Sequence, residues 1–96
     1  MSIAIIGGMD RLKNEYQRQA KSLGYKVKFF GRKVPGLGKR VAGVHGIVVF
    51  TGMVAHHMVA EVNRAARLNR IPVLHIPTSS AAGLKKTLSG FQPQNS

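Results

Sequence analysis

Apolar and polar positions alternate along this chain in two different periods. Ile3-Ala4-Ile5-Ile6 is an unbroken apolar run stopped by Gly7-Gly8, the pattern of a strand buried on both faces. Asp10 then reads as the N-cap of a helix on which Leu12, Tyr16, Ala20 and Leu23 share one face, with Gly24 as its stop. From Tyr25 to Phe30 the period becomes two: Tyr25, Val27 and Phe29 face one way, Lys26 and Lys28 the other. That is a half-exposed strand, and its lysines fit a sheet edge, where they discourage unwanted pairing. Residues 31–40, rich in Gly and charge, read mostly as an exposed loop leading into a short helix that ends near Gly43. Ile47-Val48-Val49-Phe50 is the clearest buried strand. Thr51-Gly52 turns the chain into a helix over 55–69, with Ala55, Met58, Val59, Val62 and Ala66 on its inner face. Ile71 to Ile76 forms a fourth strand, and Ser79 or Ser80 caps a last helix through Leu88.

Strand and helix therefore alternate four times, which predicts a parallel sheet with right-handed crossovers. The expected fold is α/β: one small half-Rossmann-like domain over 1–89, strand order 2-1-3-4, helices on both faces, and Ile47–Phe50 central. Residues 90–96 read as a flexible C-terminal tail.

Charge changes the picture from fold to partner. Fifteen Lys and Arg stand against Asp10, Glu15 and Glu61, a formal charge of +12 in 96 residues. Self-repulsion on this scale favours a polyanionic partner. With no Cys, disulfides, thiolate metal sites and thiol nucleophiles are excluded together. No apolar stretch approaches the roughly 20 residues that span a bilayer, and the start, Met1-Ser2-Ile3-Ala4-Ile5-Ile6, does not have the form of a signal peptide. A cytoplasmic protein without membrane contact is expected, and a homo-oligomer is compatible with the sequence.

Parallel sheets bind ligands at the carboxyl ends of their strands. Gly7-Gly8, Thr51-Gly52 and Thr78-Ser79-Ser80 should gather there, each ahead of a helix whose first amides favour an anion. Cofactor motifs fail. Around Gly38-Lys39 a phosphate loop would need Gly where Lys33 stands and Ser or Thr where Arg40 stands. The Gly7-Gly8 turn does not complete a dinucleotide fingerprint, since Met9 occupies the next glycine position. His56 and His57, about 100° apart around a helix, do not converge on one metal; His45 and His75 belong to or precede strands. No carboxylates are paired for acid–base chemistry, so no enzyme and no cofactor are expected.

The cations are more organised. Arg11, Asn14, Arg18 and Lys21 form a stripe on the outward face of the first helix, Lys26 and Lys28 project from the next strand, and Arg32, Lys33, Lys39 and Arg40 follow in the loop. Ten of the fifteen basic residues lie between 11 and 40, against one acid beyond the cap, Glu15. The favoured expectation is a module that binds DNA or RNA by its phosphates through residues 11–40. The six aromatics are mostly assigned to the core, so no base-stacking platform is evident. The alternative is a small-ligand or anion sensor at the strand ends, using Gly7, Gly8, Arg11, Tyr16, His56, Ser79 and Ser80.

Ile5-Ile6-Gly7-Gly8, Arg11 and Tyr16, Val49 through Val54-Ala55-His56, Pro72, and Ser79-Ser80 with Leu84 and Leu88 together resemble the small bacterial domain of unknown function numbered 2325. The resemblance covers residues 3–88 and implies a half-Rossmann-like fold. Gly8, Arg11, Tyr16, His56 and Ser80 match the family's pattern. The chain departs from it at Phe29-Phe30-Gly31, where the family tends to carry His before Gly, and lacks the usual Asp near position 52.

Overall fold

Two strands whose residues are buried from Ile3 to Gly7 and from Gly46 to Phe50 set the architecture. The computed structural model describes residues 1–31 and 36–91. Strand β1 (Ser2–Gly7) and strand β3 (Gly46–Phe50) lie side by side, flanked by β2 (Lys26–Phe30) outside β1 and β4 (Val73–Ile76) outside β3. All pairings are parallel and the order is β2-β1-β3-β4, as the alternation of patterns predicts. Register sets Ile3 beside Val27 and Gly46, and Ile5 beside Phe29 and Val48.

Alternating side chains feed two cores. Ala4, Ile6, Ile47 and Val49 pack under helices α2 (Leu37–Val41) and α3 (His56–Asn69), against Leu37, Val41, Met58, Val62, Ala65 and Ala66. Ile3, Ile5, Val48 and Phe50 pack under α1 (Lys13–Ser22) and α4 (Ala81–Ser89), against Tyr16, Ala20, Leu84 and Leu88. Right-handed crossovers require this division, because the chain steps leftward from β1 to β2 and rightward thereafter. Every described residue from Ile3 to Gly8 and from Gly46 to Phe50 is buried.

Element ends show where the sequence pattern misleads. Asp10 caps nothing: it opens a short 3-10 turn (Asp10–Leu12) behind Met9, and neither that turn nor α1 has a side-chain N-cap. The Leu12 amide bonds to the Met9 carbonyl instead, at 2.9 Å. The fourth strand starts at Val73 rather than Ile71, because the Ile71 amide is taken by the Ala66 carbonyl of α3 at 2.8 Å. Pro72 has no amide to offer the ladder, although its carbonyl accepts from Ile47. The domain also runs past residue 89. Gly90 and Phe91 bond back to Thr87 and Leu88, and the half-buried Phe91 ring lies over Gly46; residues 92–96 lie outside the described part.

Central and edge positions should differ in cost. Ile47→Ala removes a fully buried side chain from the middle of the sheet and is expected to cost about 2–5 kcal/mol. Val27→Ala, at a half-buried edge position, should cost about half of that or less. Urea denaturation of both variants checks this; equal losses would contradict the two-sided burial of β3.

Candidate nucleic-acid interface

Beyond the carboxyl ends of β1 and β3 the chain departs to opposite faces of the sheet, the point where open α/β sheets offer a crevice. Here the loops on its two sides are bonded to each other. The Gly8 amide donates to the Met53 carbonyl at 3.0 Å, tying the loop after β1 to the loop after β3. Gly7 and Gly8 both take positive φ, +80° and +87°, and a Cβ on Gly7 would stand 2.5 Å from the Met53 oxygen. Only glycine permits so close an approach at that backbone angle.

Tyr16 completes the closure. It is fully buried, its ring stacked on Phe50 at 4.9 Å between centroids and on Phe29 at 6.3 Å. Its hydroxyl accepts from the Met9 amide at 3.1 Å and donates to the Ser79 carbonyl, joining the loops after β1 and β4. Ser80 caps α4, its Oγ accepting from the Gly83 amide at 3.0 Å. Of the expected strand-end ligand residues, Gly7, Gly8, Tyr16, Ser79 and Ser80 are thus brought together, but as parts of a hydrogen-bonded closure. His56, at the start of α3, and Arg11 remain exposed beside it. Among the described residues no three His, Asp or Glu gather as a metal site, and His45 instead holds Ser2, whose amide lies 3.1 Å from its Nδ1.

The basic residues are disposed around the opposite feature, the open edge of β2. Register aligns Lys26 with Ser2 and Lys28 with Ala4, so both point to the α2–α3 side of the sheet. The helix-α1 cations lie on the other side. Among the described residues, the basic cluster expected over 11–40 is therefore divided between the two faces of the sheet and meets only at its rim. Lys13 reaches β2 from the α1 side, its Nζ 5.6 Å from the Phe29 ring centroid. Arg40 reaches it from the α2 side, its guanidinium 5.1 Å from the Phe30 centroid. At about 100° per residue, Lys21 and then Arg18 follow Lys13 around α1 toward its solvent-facing side.

Not every expected cation belongs to this face. Arg18 pairs with Glu15 at 2.9 Å, which offsets part of its charge. Arg11 sits at the strand-end loops, its guanidinium 3.9 Å from the Met9 sulfur. Lys39 lines a different groove, between α2 and α3, with Arg64 and Asn69. Arg32 and Lys33 lie outside the described residues. Lys13 carries more of the geometry than the sequence pattern assigned it; the signal was its place three residues before Tyr16, one turn along the buried face. The acids stay clear of the β2 side chains: Glu61 accepts from the Gly38 amide at 2.9 Å, and Asp10 lies beside Gly31 at the strand's end.

Tyr16→Phe tests the closure. Losing the hydroxyl leaves the Met9 amide and Ser79 carbonyl without their partner, an expected cost of about 1–3 kcal/mol. Thermal or urea unfolding measures it, with faster hydrogen exchange expected at Met9. A variant as stable as the parent would show that the loops close without this bridge.

Compared with known proteins, the chain matches the family described as "Uncharacterized protein conserved in bacteria (DUF2325)" over residues 2–91. No curated protein and no solved structure matches it. The match spans every strand and helix described above, and the chain belongs to this family of uncharacterised bacterial proteins.

Proposed function

We propose that the protein binds nucleic acid through its phosphate backbone, using the face centred on the β2 edge, and that it is a binding module, not an enzyme. The observation that carries this reading is the convergence of Lys13, Lys26, Lys28 and Arg40, from three different elements, on one sheet edge whose side chains include no carboxylate. Clustered cations without internal partners are what counterion release from a polyphosphate requires. The aromatic rings at the edge support backbone contact over base stacking, since Phe29 is covered by Lys13 and Phe30 is buried beneath Arg40. A strand-end anion site ranks lower, because the amides of Gly8 and Met9 are already bonded within the protein.

Salt dependence separates a localised interface from diffuse attraction. For four to six neutralised phosphates, log affinity for duplex DNA should fall against log salt with a slope of about −4 to −5. Replacing Lys13, Lys26, Lys28 and Arg40 together by Gln should make that slope shallower by about 3 and weaken binding similarly on all sequences. Replacing Arg64, Arg67, Lys85 and Lys86, all exposed on α3 and α4, removes the same charge and should change the slope by less than about 1. Equal losses from the two sets would reduce the interaction to net charge alone. Absence of binding to DNA and RNA at low salt would remove the proposal.

A further inference from the structure

The β2 edge contains one position built more specifically than the rest. Lys28, Phe29, Phe30 and Arg40 line an open cleft of about 380 Å³ between the edge of the sheet and α2. Three kinds of donor meet there. The first is the Arg40 guanidinium, held over the Phe30 ring. Attraction to the ring face helps hold the cation there, and the fork of guanidinium N–H donors suits a two-pronged contact with an oxyanion. Phe30 is itself fixed in the core beside Ile6, so the platform beneath Arg40 is rigid. The second is the Lys28 ammonium.

The third donor is backbone. The Lys26 amide donates to the Met1 carbonyl at 2.8 Å, so it points inward to β1. Amide direction alternates along a strand. Lys28 and Phe30 therefore also turn their amides toward β1, and Val27 and Phe29 turn theirs to the open side. Because β2 is the outermost strand, no described strand pairs with the Phe29 amide there. Among the described residues neither Lys28 nor Arg40 is paired with a carboxylate, the Arg18–Glu15 pair being the ion pair present.

We propose that this cleft is a phosphate-binding site in which Arg40, backed by Phe30, grips two phosphate oxygens while Lys28 and the Phe29 amide complete the contact. The inference deepens the nucleic-acid reading by giving the interface a single anchoring phosphate, and in that sense rests on it. The chemistry itself is that of a phosphate group, whether in a polynucleotide or free.

Nuclear magnetic resonance titration of the isotope-labelled full chain with inorganic phosphate, at constant ionic strength against chloride, provides the test. The Phe29 amide and the Arg40 Nε–H should shift saturably with phosphate and not with chloride. Arg40→Lys keeps the charge but loses the planar fork of donors, and should weaken phosphate binding roughly tenfold, the loss of one charge-assisted hydrogen bond. Lys86→Gln, on α4, should leave it unchanged. Arg40 is exposed, so both Arg40→Lys and the control are expected to unfold at the parent temperature, which a thermal scan confirms. Equal shifts with phosphate and chloride, or equal phosphate affinity in Arg40→Lys, would overturn the site. A parallel titration with duplex DNA separates the two ideas. Phosphate binding at Arg40 without DNA binding would keep the site and assign it to free phosphate compounds. DNA binding without a phosphate response at Arg40 would keep the nucleic-acid reading and discard the site.

Discussion

The burial of β1 and β3 on both faces is the constraint from which the rest follows. Ile3, Ala4, Ile5, Ile6, Ile47, Val48, Val49 and Phe50 expose nothing to solvent. Each buried aliphatic or aromatic side chain contributes about 1.5–3 kcal/mol, so these eight positions demand helices above and below the sheet. They also forbid charge anywhere near the centre. The described cations of so small a domain are therefore left to the outer faces of the helices, the loops and the sheet edges. On β2, where the core needs just one face of the strand, alternation leaves Lys26 and Lys28 outside. The basic edge and the apolar centre are two consequences of the same packing.

A second constraint moves the candidate chemistry away from its usual place. Open parallel sheets bind ligands where successive loops part at the strand ends. In this chain the parting loops are drawn together: Gly8 bonds Met53, Gly7 permits the approach, and Tyr16 ties Met9 to Ser79. The Gly8 and Met9 amides, which would face an anion, face protein oxygens instead. The long side of β2 combines outward amides with converging Lys and Arg side chains. The site proposed above therefore lies where backbone and side-chain donors are both left without partners.

Much of the fold is legible in the sequence because its determinants are local. Ile47–Phe50 is apolar without interruption, and the helix after it repeats apolar residues at helical spacing. The alternation of Lys26 and Lys28 with Val27 and Phe29 identifies β2 as an edge, since a central strand could not hide those lysines. The candidate site was less legible, because its determinants are contacts between distant positions. Tyr16 meets Ser79 across 63 residues of chain, and nothing in the helical pattern separates a core tyrosine from one that bridges two loops. The basic residues over 11–40 read as one cluster because sequence order carries no information about which face of a sheet a crossover helix covers. Asp10 looked like a cap because its residue type favours one, yet the 3-10 turn places Met9 at that position. Phe91 was invisible as a core residue in a tail whose composition reads as loop, until Gly46 is found beneath it.

The interface proposed for nucleic acid is the β2 edge. Mapping the backbone amides that respond when unlabelled duplex DNA is added to the isotope-labelled protein tests it most directly. The expected responses lie at Lys26 to Phe30, at Lys13 and Lys21 on α1, and at Arg40 on α2, with α4 and the loops around Gly8, Met53 and Ser79 unperturbed. Responses centred on α3 and α4, or on the strand-end loops around His56 and Ser80, would contradict it.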